Sequence, residues 1–145
     1  MRIKFQSQVQ CNFDKVSADF GEDLFRFLLP PSFVAGLKSY EGNEPGSRVH
    51  IHFHLPWPSD WISVITSRQM DKRKYVFVDE GERLPFGLKT WKHEHSVLKK
   101  GEGITIIMDN IHFTSQNRIL DFLMYPLLFL AFYPRKFTYK KYFEK

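Results

Sequence analysis

The sequence predicts an α+β fold: a curved antiparallel sheet of about six strands, two short helices after the first strand, and a long C-terminal helix over the concave face. Three observations predict it. Arg2–Cys11 alternates polar and apolar residues. Five strand-like segments follow one another between Arg48 and Thr114. From Ile119 to Tyr133, thirteen of fifteen residues are apolar or aromatic. Successive strands joined by short turns make an antiparallel meander, and a helix that is apolar all round must be buried against something.

In the first segment Ile3, Phe5, Ser7, Val9 and Cys11 share one face, and Arg2, Lys4, Gln6, Gln8 and Gln10 the other, which is a strand with one wet side. Asp14 is a helix cap, and Phe20, Leu24, Phe27 and Leu28 keep helical spacing until Pro30-Pro31 ends it. A second short helix is expected over Ser32–Leu37, followed by the turn-rich YEGNEPGS. The expected strands are Arg48–Leu55, Trp61–Gln69, Lys74–Glu80, Phe86–Leu98 and Gly103–Thr114, with KKGE as a hairpin between the last two. Pro126 is expected to break or kink the terminal helix, and Pro134 to do so again. Beyond it Tyr139, Tyr142 and Phe143 lie on one side and Lys140 and Lys141 on the other.

The 145 residues suffice for one domain, residues 1–145, with a real core. One cysteine, Cys11, excludes an intramolecular disulfide and argues against cysteine-ligated metal. The N-terminus MRIKFQSQVQ lacks the apolar stretch of a secretory signal, so a cytoplasmic protein is expected. The net charge is +5, but residues 134–145 carry five Lys or Arg against one Glu, so the excess belongs to the tail. A nucleic-acid binder spreads basic residues over one face, and none is expected here. The basic, aromatic tail is instead suited to peripheral contact with an anionic membrane.

Strand parity locates the chemistry. Trp91, His93, His95 and Val97 oppose the face of Lys92, Glu94 and Ser96, and so point inward. A pairing of His95 with Thr105, His93 with Ile107 and Trp91 with Asp109 brings Thr105 and Asp109 beside both histidines. An inward Asp needs a partner, and His supplies one. The HIHFH segment invites a metal reading, but Val49, Ile51, Phe53 and Leu55 make the better core face, which turns His50, His52 and His54 outward. No metal and no cofactor are expected. Trp57 and Trp61 are expected to pack beneath the loop between them.

The ordered set Phe77-x-Asp79, Trp91-x-His93-x-His95-x-Val97 and Gly103-x-Thr105-x-x-x-Asp109-x-Ile111-x-Phe113 resembles the START-like, or SRPBCC, superfamily, in its ligand-binding or polyketide-cyclase-like subgroup. LLPPSF, Gly46, WISVI and the closing RKFTYKKYF also match, so the resemblance spans nearly the whole chain. It implies the Bet v 1-like helix-grip fold and a cavity for a lipid, polyketide or sterol-like molecule. The expected walls are Phe5, Phe77, Trp91, Ile107, Phe113, Leu123, Leu127 and Leu130. His93, His95, Asp79, Thr105 and Asp109 are the expected polar groups. The alternative is a cyclase or dehydratase in which His93 or His95 is the general acid or base, oriented by Asp109; the reading leans towards a carrier without catalysis.

Overall fold

The computed structural model describes every residue from Met1 to Lys145. Its elements are β1 (Arg2–Val9), α1 (Phe13–Ala18), α2 (Glu22–Leu28), β2 (Ala35–Tyr40), β3 (Arg48–Phe53), β4 (Ser59–Met70), β5 (Lys74–Arg83), β6 (Leu88–Gly101), β7 (Ile104–Ser115), α3 (Arg118–Phe132) and α4 (Arg135–Phe143). The strands form one seven-stranded sheet in the order β1-β7-β6-β5-β4-β3-β2. Every neighbouring pair is antiparallel. Register shifts within β4–β5 and β6–β7 add local bends to the twist, which curls the sheet around its contents.

The seventh strand is β2, where a short helix over Ser32–Leu37 was expected. Ala35–Tyr40 pairs with β3 instead. An isolated one-turn helix gains little, whereas the edge of β3 offers a row of backbone partners. The helices both lie earlier, split around Asp19-Phe20-Gly21.

The β6–β7 hairpin closes more tightly than expected. Both strands run on to Gly101 and Ile104, leaving Glu102 and Gly103 as the turn. His95 therefore faces Asp109, His93 faces Ile111 and Trp91 faces Phe113, an offset of four residues from the expected pairing. An even offset keeps every side chain on its face, so the inward assignment stands while the cross-strand partners change.

The C-terminal segment also differs from expectation. Pro126 sits inside α3 without ending it. Its side of the helix is exposed, so the carbonyl that loses its N–H partner can turn to water. The chain breaks instead at Pro134, where α4 begins. Asn117 caps α3 by accepting from the Leu120 N–H at 2.9 Å. Residues 135–143 are not a free tail, because Tyr139 and Phe143 are buried in the core.

Apolar side chains fill the space under the helices in two clusters. Val9, Phe20, Leu24, Phe77, Val97, Ile107 and Tyr139 belong to one. Ile3, Phe5, Trp61, Trp91, Phe113, Met124 and Leu128 belong to the other. Trp61 packs edge-on against Trp91 with centroids 4.7 Å apart. Trp57, expected beneath its loop, is 56% exposed and touches Phe86. Phe86 and Gly87 both have positive φ, at 62° and 79°. A Cβ on Gly87 would lie 2.8 Å from Leu120 Cδ2. Gly87→Ala is expected to cost about 1–2 kcal/mol, read from urea unfolding; an unchanged midpoint would mean that the turn relaxes freely.

Candidate functional site

Between the two apolar clusters lies one polar layer. It is built from adjacent positions on three neighbouring strands: Asp79 on β5, His93 and His95 on β6, Asp109 on β7. The α4 helix adds Arg135 and Tyr139 from above, one turn apart. His93 (3% exposed) and Asp109 (1%) are sealed, and His95 is 8% exposed. Strand alternation puts these groups inside, because their neighbours Lys92 and Asn110 take the opposite face.

The layer consists of two carboxylate–imidazole pairs. His93 Nε2 lies 2.7 Å from Asp109 Oδ1, and His95 Nε2 lies 2.6 Å from Asp79 Oδ2. The two imidazoles stack at 3.7 Å between centroids, and Phe77 stacks on the far side of His95 at 4.4 Å. Tyr139 donates its hydroxyl to Asp109 Oδ2 at 3.0 Å, and Arg135 Nη1 lies 3.5 Å from Asp109 Oδ1. Burial opposes ionisation of Asp109, but the hydrogen bond and charge of His93, together with Arg135, outweigh it and hold the carboxyl below its ordinary range. Asp79 behaves likewise: burial works against its charge, and the His95 hydrogen bond prevails. His93 is pushed down to about 4, by burial first and then by the neighbouring His95. At neutral pH it is therefore an uncharged ring that donates Nε2–H to Asp109. Burial and the Asp109 charge push the Tyr139 phenol up, so it stays a donor.

One polar atom in the layer is unpaired. His95 Nδ1 is buried without a hydrogen-bond partner. Asp79 engages Nε2, and the nearest carboxylate oxygen to Nδ1, Asp109 Oδ1, lies 3.7 Å away, beyond hydrogen-bond reach. Asp79, His93 and His95 also bring three metal-ligating atoms within 4.8 Å of one another. Their arrangement suits hydrogen bonding better: one acid–imidazole distance is 2.6 Å, and the rings are tilted by only 27°. Lone pairs in nearly parallel planes do not converge on a common point.

Of the residues expected at the site, Asp79, His93, His95 and Asp109 come together. Thr105 does not join them, because its hydroxyl donates to the Cys11 carbonyl at 2.7 Å. The four-residue register offset moves it towards the hairpin turn. Phe5, Phe77, Trp91, Ile107 and Phe113 are buried on the inner face. Leu123, Leu127 and Leu130 are 61%, 63% and 67% exposed and lie on the outside of α3, so they do not line the space beneath it. Met124, Leu128 and Phe132 take that place, with Phe132 packed on Trp91 and His93. Thirteen of the fifteen residues Ile119–Tyr133 are apolar or aromatic, so hydropathy alone could not orient the helix. Arg135 and Tyr139 are additions to the site. Their four-residue spacing on an otherwise basic helix was the available signal.

Orientation also relocates the roles. Asp109 orients His93, and Asp79 orients His95. The outward placement of His50 and His52 agrees with the strand reading, and both contact Asp60 Oδ1, at 2.9 and 3.0 Å. Those hydrogen bonds lower the Asp60 carboxyl to about 2. Leu55 falls beyond β3 and is 47% exposed rather than in the core.

Beside the layer a cleft of about 330 Å³ opens between α1, the β2–β3 turn and β4–β5, lined by Ser17, Phe20, Tyr40, Asn43, Arg68 and Tyr75 among others. Phe20 lines the cleft and also packs on Phe77, His95 and Tyr139, with centroids 5.7, 6.3 and 6.0 Å away. One ring thus stands between the cleft and the polar layer.

No family model and no curated protein matches the sequence. Solved structures do match. A protein of Bacillus thuringiensis superposes with a TM-score of 0.69 at 14% identity, covering 100% of both chains. Norcoclaurine synthase from Thalictrum flavum, in complex with dopamine and hydroxybenzaldehyde, gives 0.66 at 15% identity over 88% of this chain and 76% of its own. Ara h 8.0201 gives 0.55 at 16% identity over 91% and 92%. At such identities the likeness is one of fold: the chain has the Bet v 1-like helix-grip fold that the sequence resemblance implied.

Proposed function

We propose that the protein binds a small, largely apolar molecule with one hydrogen-bonding group, of the lipid, polyketide or sterol-like class, in the space between sheet and terminal helices that Phe20 vacates when it turns aside from the cleft. The observation that supports this reading is the unpaired, buried Nδ1 of His95. A buried polar nitrogen without a partner costs about 1–3 kcal/mol. A ligand hydroxyl placed there, which can donate or accept, would remove that cost, while Phe20, Phe77 and Phe132 cover the apolar remainder. Asp79 fixes which nitrogen is offered. Rotation of Phe20 would open a path from the cleft. Similar folds give support of a general kind, since one was solved with dopamine and hydroxybenzaldehyde bound.

A long-chain alcohol and the alkane of equal length test the polar contact. The wild type is expected to prefer the alcohol, and His95→Phe to lose roughly five- to tenfold of that preference with alkane binding retained. Phe20→Ala is expected to speed uptake of both. Equal binding of the two probes by the wild type, or failure to bind either even with Phe20→Ala, would overturn the reading.

The two acid–imidazole pairs favour a second reading, an enzyme of the cyclase or dehydratase kind. His95 would then be the base, through Nδ1, with Asp79 as its positioning residue. Turnover of a β-hydroxyketone probe that vanishes in His95→Gln while binding survives would establish it. No turnover by the wild type would leave the carrier.

A further inference from the structure

Past Arg118 at its start, the outside of α3 carries no free charge. Ile119, Phe122, Leu123, Leu127 and Leu130 are 61–74% exposed, and Phe137 continues the surface on α4 at 62%. Their spacing makes one broad stripe along the helix. The sole ionisable group between Arg118 and Tyr133, apart from the tyrosine hydroxyls, is Asp121, and its carboxylate is taken up by the Ser115 N–H and hydroxyl. Contiguous apolar surface of this kind on a folded protein marks a contact with something else.

Charge identifies what covers it. Between Arg118 and Lys145 there are six basic and two acidic residues. Lys140 and Lys141 are exposed on α4, where the stripe ends. A second copy docked on this face would bring another six basic and two acidic residues to the contact and no surplus of acid to meet them. An anionic bilayer offers acyl chains to the stripe and phosphates to the rim. Near the other end of α3, exposed Trp57 packs on Phe86, whose neighbour Gly87 approaches Leu120. Trp is favoured at the boundary between acyl chains and headgroups. No helix is long and apolar enough to cross a membrane.

We propose that α3 lies in the plane of an anionic membrane surface, its outer stripe in the acyl boundary and the lysines of α4 on the headgroups. This surface differs from the one expected from sequence, because α3 supplies most of the apolar contact and the tail supplies Phe137 and the charge. It goes beyond the ligand reading and does not depend on it.

Co-sedimentation of the full chain with phosphatidylcholine vesicles, with and without phosphatidylserine, tests the proposal. Strong binding to the anionic vesicles is expected, roughly tenfold weaker on neutral vesicles or at high salt. Leu127→Glu combined with Leu130→Glu should lower partitioning at least tenfold; both side chains are exposed, so the thermal midpoint should hold. Lys140→Ala with Lys141→Ala should remove much of the salt dependence. A wild type that stays in the supernatant, or a double-Glu variant that sediments equally well, would overturn the proposal. A wild-type dimer in sedimentation equilibrium that the double-Glu variant splits, without vesicle binding, would reassign the face to self-association.

Discussion

Asp109→Ala is expected to lose about 3–5 kcal/mol of folding stability, a large part of the 5–15 kcal/mol typical of a domain. The carboxylate is met by His93 Nε2 at 2.7 Å, by the Tyr139 hydroxyl at 3.0 Å and by Arg135 at 3.5 Å. Removing it strands a guanidinium, an imidazole N–H and a phenol in a layer closed above and below by aromatic rings. The cost is that of leaving partners unpaired, which exceeds the net worth of the pairs themselves. Asp109→Asn keeps an acceptor but not the charge and should lose less, about 1.5–3 kcal/mol. Urea denaturation at pH 7 measures both. A loss below about 1 kcal/mol for Asp109→Ala would mean that Arg135 swings out to water and Tyr139 finds another acceptor.

Stability is expected to fall as pH drops from about 6.5 towards 4, and His93 is the cause. Its ordinary value is 6.5 and its value in the fold about 4. In that window the unfolded chain holds a proton that the folded chain does not, so stability rises with pH. The contribution is fully present above pH 6.5 and gone below 4, and its size is on the order of 3 kcal/mol. The groups facing His93 are Asp109 from β7, Asp79 from β5, the stacked His95 and, through Asp109, Arg135 and Tyr139 from α4. The other acid-side shifts, at Asp60, Asp79, Asp109 and Asp121, all lie below the ordinary carboxyl value of 3.8 and act at lower pH. Urea midpoints measured from pH 7.5 to 4.5 should therefore slope downward. His93→Gln should flatten that slope. A flat wild-type profile would show that water reaches the imidazole.

The amino-acid sequence by itself determined which faces of β6 and β7 are buried, and with them the inward direction of His93, His95 and Asp109, while Asp79 was expected from the family resemblance alone. Alternation is local: each residue's side follows from its neighbours, and a register offset of four leaves it unchanged. Tertiary structure decided who meets whom. The length of the β6–β7 turn placed Asp109 opposite His95 and carried Thr105 away to Cys11. The free edge of β3 drew Ala35–Tyr40 into the sheet against its short-helix pattern. Packing on Trp91 and the β7 face selected Met124, Leu128 and Phe132 as the inner side of α3, leaving Leu123, Leu127 and Leu130 in the open. That choice has no local signature, because a helix apolar on every side can turn any stripe inward until a partner surface selects one.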